Sequence, residues 1–324
     1  MVSGAQAIPD WLRRMYPFEP AAFETPGGAR MSYLDEGPRA DEAVLMLHGN
    51  PTWSFFYRDL VRELSPTIRC VAPDHIGMGL SQKPQGYDYR LETRIGDIAA
   101  LVESLGLRKI HLVVHDWGGA IGFGLATRQP ERVGRIVVLN TAAFVSARIP
   151  KRISLCRAPL LGEFLVRGLN GFAEPATWMA MASRRLSWGE RRAYLFPYDS
   201  WANRVAVHRF VRDIPLEKDH PSRAALEEIE ARLPRLAGHP KLIVWGARDF
   251  CFDDSFLSRW RELYPDARID RLERAGHVKA EWRTSENNRN AKYYVLTSRG
   301  KKALAAERTQ WGHQIAAISR ILEA

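Results

Sequence analysis

Cysteine and long apolar runs are both scarce in this sequence, and each shortage excludes a class of protein. The three cysteines, Cys70, Cys156 and Cys251, are widely separated, contain no CxxC pair and leave one thiol over in any disulfide scheme. A disulfide-built scaffold is therefore excluded, and a reducing cytoplasm is the expected compartment. No stretch of about 18 apolar residues exists, so no membrane span is expected. The opening residues MVSGAQAIPDWLRRMYPF lack the continuous apolar centre of an export signal. Nothing in the chain calls for a metal ion or an organic cofactor.

What is present is ordinary globular material: 46% hydrophobic and 26% charged residues in a chain of 324, long enough to bury a large core. Lys and Arg outnumber Asp and Glu by 47 to 37, for a net charge of +10. The excess is uneven, because Val278 to Ala324 alone holds nine basic and four acidic residues. Over the body, the charge reads as a solvated surface.

Short β-branched runs recur between helical stretches: Val44 to Leu47, Arg69 to Ala72, Ile110 to Val114, Arg135 to Leu139 and Leu242 to Trp245. This alternation predicts an α/β fold with a mainly parallel sheet covered on both faces. Ala22 to Glu36 reads as an N-terminal hairpin, and Ala267 to Leu272 as a further strand. From Thr141 to about His239 the strand rhythm stops and amphipathic segments such as WANRVAVHRFVRDI take over, predicting a helical cap inserted between two strands. The expected division is a core of residues 1–140 and 240–277, a cap of 141–239 and a tail of 278–324.

Ligands of parallel sheets bind beyond the carboxyl ends of the strands, and here the residues after each run are chemically dense. They read HGNPTW, PDHIGMG, HDWGG, GARD and AGH. In VVHDWGG, Asp116 stands where a strand turns sharply into a helix, the place a serine takes in the commoner GxSxG turn. The helix N-terminus favours an ionised carboxylate there. His277 is the candidate general base, and Asp249 the carboxylate that orients it. The backbone N–H groups of Asn50 and Trp117 should form an oxyanion hole, with the Asn50 amide and the Trp117 indole as neutral donors facing the pocket.

On these residues the chain resembles the α/β-hydrolase superfamily from about Pro17 to His277. HGNPTWSFFYRDL with HDWGG is similar to its haloalkane dehalogenase branch, in which an aspartate is the nucleophile. VLNTAAF, PLLGEFLVRGLNGFA and PYDSWANRVAVHRFVRDIPL are similar to the β-lactone decarboxylases of bacterial long-chain olefin biosynthesis. That resemblance implies a cis-3,4-dialkyl β-lactone as substrate, a cis-alkene and carbon dioxide as products, and no cofactor. Attack by Asp116 at the ring carbon bearing oxygen and attack at the carbonyl both remain open. The implied partners are the enzymes that make the lactone, in a soluble assembly. An apolar cavity for two alkyl chains is expected in the cap, with Leu160, Leu161, Phe164, Leu165, Phe172 and Trp178 as candidates. Haloalkane hydrolysis is the alternative reaction. Epoxide hydrolysis, needing cap tyrosines such as Tyr194 or Tyr198, is a third, and a binding or DNA-associated protein is the non-enzymatic reading.

After AGH the text changes. VKAEWRTSENNRNAKYYVLTSRGKKALAAERTQWGHQIAAISRILEA resembles the end of a PadR-type transcriptional regulator: a wing hairpin and part of a dimerisation helix, without the DNA-reading helix-turn-helix. No sequence-specific nucleic-acid binding is therefore expected. Leu304, Trp311, Ile315, Ile318 and Leu322 share one helical face, on which self-association could occur.

Overall fold

A computed structural model describes residues 8–180 and 185–271, with the backbone of two further strands, Val278–Thr284 and Asn290–Leu296. His277 and the Leu304 to Leu322 stripe lie outside the described residues. The two further strands pair antiparallel with each other.

Eight strands form the main sheet: β1 Ala21–Glu24, β2 Arg30–Glu36, β3 Glu42–Leu47, β4 Arg69–Pro73, β5 Lys109–Asp116, β6 Val133–Thr141, β7 Lys241–Trp245 and β8 Arg268–Arg271. Their order is β1-β2-β4-β3-β5-β6-β7-β8. The first two make the expected hairpin, β2 runs antiparallel to β4, and every later pairing is parallel. The apolar runs are continuous because both faces are covered. Along β3, Leu45 and Leu47 join one core cluster while Val44 and Met46 join the other, and β5 divides Leu112 and Val114 from Val113 in the same way.

Between β6 and β7 lie short helices, among them Lys151–Arg157, Ala173–Met179, Trp188–Leu195 and Val205–Arg212. A single π-turn, Phe164–Gly168, interrupts them. The last α-helix of the insertion, Arg223–Arg232, behaves differently from the rest. Its Ile229 packs against Gly124 of the helix Trp117–Arg128, so this part of 141–239 covers the sheet rather than the site.

A buried ion pair fastens the cap to the sheet. Arg94, on the helix Leu91–Ser104, donates to Asp213 at 3.1 Å just after the cap helix Val205–Arg212, with both side chains almost wholly buried. Asp213 also accepts from Ser222 Oγ at 2.6 Å, and the Arg94 guanidinium stacks 3.6 Å from the centre of the Phe210 ring.

Candidate active site

Asp116 ends β5 with φ 51° and ψ −126°, a left-handed conformation that costs a non-glycine residue about 1–3 kcal/mol and persists because its surroundings enforce it. The β5–β6 register shifts between His115 and Asp116, which turns the carboxylate away from its strand. Thr141 Oγ1 donates to the Asp116 carbonyl and holds the turn. Close approach explains the glycines: a Cβ on Gly118 would collide with the Leu47 carbonyl oxygen, and one on Gly49 with the Asp116 carboxylate.

Asp116 Oδ1 accepts from the Asn50 backbone N–H at 2.7 Å, and the Trp117 backbone N–H also stabilises the charged carboxylate. Burial outweighs both and pushes the Asp116 carboxyl up to about 7, with nearby Asp249 adding to the rise. Asp249 follows β7, where its Oδ1 accepts from Cys251 N at 2.7 Å and Phe252 N at 3.0 Å. Burial raises this carboxyl too, against those two bonds. Asp116, Asp249, Asn50 and Trp117 thus converge on one cavity.

One expected donor is placed differently from the sequence reading. The Asn50 amide does not face the pocket freely: its Nδ2 donates to the Val207 carbonyl of the cap at 3.1 Å, and its Oδ1 is buried without a partner. Trp117 is held edge-on against Phe210, with ring centroids 5.5 Å apart, and lines the cavity floor.

The cavity encloses about 580 Å³ beneath the cap. Leu165, Phe172 and Trp178 line it. Leu160, Leu161 and Phe164 do not: they are 87%, 49% and 54% exposed on the outside of the cap. The chain turns at Leu160 with φ 58° and then coils as a short helix and π-turn, which presents Leu165 inward and its neighbours outward. Tyr194 reaches the cavity, whereas the Tyr198 hydroxyl is spent on the Thr52 carbonyl at 3.1 Å.

Sequence reasoning missed three supports. His115 lines the cavity beside the elbow and stacks on Phe56 at 4.6 Å; its Nδ1 is buried without a partner, and burial lowers its pKa to about 4, so the ring is neutral. Asn140, at φ 27°, exchanges two hydrogen bonds with Gly246 and so fixes the loop that carries Asp249. Asp74, in PDHIGMG, is scaffolding rather than chemistry. It accepts from Ser54 N at 2.6 Å and Leu80 N at 2.8 Å, while His48 accepts from His75 N at 3.1 Å, locking the HGNP loop to its neighbour. An elbow, a following acid loop and an inserted cap were each legible, but these supports depend on loops that meet only in space.

A family model described as alpha/beta hydrolase fold matches residues 42–284. The chain belongs to the α/β-hydrolase family. The chain is 44% identical over 290 residues to a cis-3-alkyl-4-alkyloxetan-2-one decarboxylase of Shewanella oneidensis, covering 88% of this chain and 90% of that one. A decarboxylase of the same name from Xanthomonas campestris is 44% identical over 277 residues, covering 82% and 92%. Among solved structures, the haloalkane dehalogenase DatA of Agrobacterium tumefaciens superposes with a TM-score of 0.71 at 26% identity, covering 91% of this chain and 97% of DatA.

Proposed function

We propose that this protein splits cis-3,4-dialkyl β-lactones (oxetan-2-ones) into a cis-alkene and carbon dioxide, with Asp116 as nucleophile. The observation that carries the reading is a carboxylate at the elbow that already engages the Asn50 and Trp117 backbone N–H groups, the first through Oδ1, beneath a cavity lined mainly by apolar side chains. The 44% identity to two oxetanone decarboxylases runs through the cap and supports the substrate class.

This arrangement favours attack at the ring carbon over attack at the carbonyl. A tetrahedral oxyanion made at the lactone carbonyl would need the Asn50 and Trp117 N–H groups, and Asp116 itself holds them. Asp116 Oδ2 displaces the ring oxygen from its saturated carbon, and the C–O electron pair leaves as a carboxylate. The C–CO₂⁻ bond then breaks and its electrons form the alkene. The ester C–O bond breaks in the same step and returns the Asp116 carboxylate, so no water or proton is consumed. Inversion at the attacked carbon followed by anti loss of the two groups preserves the cis relation of the alkyl chains.

Trp117 and the neutral His115 ring flank the region where negative charge develops. His277, oriented by Asp249, serves as the base that clears esters which fail to decarboxylate. The chain acts in the cytoplasm, in keeping with three unpaired cysteines, and draws its substrate from enzymes that close the β-lactone ring. Self-association is compatible with this role.

Haloalkane hydrolysis is the second reading, favoured by Trp117 in the cavity floor and the likeness to DatA. One incubation separates them. Alkene from a cis-dialkyl β-lactone, with no halide from a bromoalkane, is the expected result. Halide without alkene would refute the proposal.

A further inference from the structure

The large apolar side chains left exposed are concentrated on one part of the molecule. Among the described residues there are nine: Leu155, Leu160, Leu161, Phe164, Leu169, Trp178, Trp188, Trp201 and Phe250. Eight fall between 155 and 201, within the cap, and the ninth, Phe250, lines the active-site cavity. Leu155, Leu169 and Trp178 are both exposed and part of the cavity wall, so the cavity opens within the apolar surface. Phe164 and Trp201 both lie against Gly168, which joins them into one patch.

The same stretch is strongly basic. From Arg148 to Arg212 the sequence holds twelve Lys and Arg against four Asp and Glu. Basic and aromatic groups interleave: the Arg192 guanidinium lies 5.2 Å from the Trp188 ring centre, and Arg152 lines the cavity. Exposed Leu and Phe side chains among tryptophans and cations are the chemistry of a surface that sits in the headgroup layer of an anionic bilayer. A folded protein rarely leaves such a patch uncovered.

The geometry points to the cap face from Leu155 to Trp201 as a peripheral docking surface for anionic lipid bilayers, with the cavity mouth facing the lipid. Charge complementarity selects this occupant, and the cavity mouth gives it a purpose. The purpose rests on the substrate reading above, since a lactone with two alkyl chains partitions into lipid and would pass from bilayer to cavity without crossing water. The docking surface itself rests only on exposure and charge.

The full-length chain should cosediment with vesicles of phosphatidylglycerol and phosphatidylethanolamine at physiological ionic strength, and at least about fivefold less with phosphatidylcholine alone. The double variant L160S/F164S, whose side chains face away from the cavity, should lower partitioning about tenfold or more. It should keep the wild-type melting curve and wild-type turnover of a detergent-dispersed β-lactone. Activity is read separately from binding, so failure of the substrate reading would leave the docking result standing. A variant that binds within about twofold of wild type would overturn the proposal. So would equal release of both proteins by salt, which would assign binding to the basic segment 278–324. A concentration-dependent dimer abolished by the variant would show that a second copy covers the patch, and would overturn it too.

Discussion

At pH 8, replacing Asp116 by asparagine should stabilise the protein while removing its activity. Burial raises the Asp116 carboxyl from the ordinary range near 4 to about 7, so the folded protein holds a proton there that the unfolded chain has lost. Between those values stability falls as pH rises, and above about 7 the full cost is present. A shift of some three units corresponds to roughly 4 kcal/mol, which partial access to the cavity reduces to about 2–4 kcal/mol. Asparagine keeps an oxygen for the Asn50 N–H and carries no charge. The variant's melting temperature should therefore rise by roughly 4–8 °C at pH 8, and by less than half as much at pH 5. Alkene formation should drop by roughly three orders of magnitude or more. Scanning calorimetry at the two pH values, beside a turnover assay, tests both halves. An equal shift at pH 5 and pH 8 would refute the burial argument, and a variant keeping more than about a tenth of wild-type turnover would remove Asp116 as nucleophile.

Four further outcomes are expected. The kcat/KM for lactone should fall about tenfold per pH unit below about 7, as Asp116 takes up its proton; a flat profile between pH 5 and pH 8 would contradict this. Gly118→Ala should cost about 3 kcal/mol or more in denaturant titration, because the obstacle is the Leu47 backbone carbonyl and cannot rotate aside. Asp213→Ala should cost about 3–5 kcal/mol by leaving the Arg94 guanidinium buried without its partner, and a loss under about 1 kcal/mol would show that water reaches it. Leu165→Trp should shift preference toward shorter alkyl chains by filling the cavity wall, whereas Leu161→Trp, on the outer surface, should not.

The sequence by itself determined the architecture and the position of the elbow carboxylate. Parallel strands buried on both faces leave continuous β-branched runs, and a nucleophile elbow needs glycines beside its reactive residue, so Asp116 between Val114 and Gly118 was legible without coordinates. Asp249 was legible because it follows a strand, where ligands of such sheets gather. Tertiary structure alone decided which way the cap side chains face. A π-turn and a left-handed residue at Leu160 break the helical period on which a facing argument relies, sending Leu165 inward and Leu160, Leu161 and Phe164 outward. It alone decided that the Asn50 amide is tied to Val207, 157 residues away, and that Asn140 clamps Gly246 across two strand ends. It also set the acidity of Asp116, since burial by distant segments, not any neighbour in sequence, raises that carboxyl. Local spacing encodes turns and strands because their forces act over a few residues, while desolvation and side-chain facing arise only when remote segments meet.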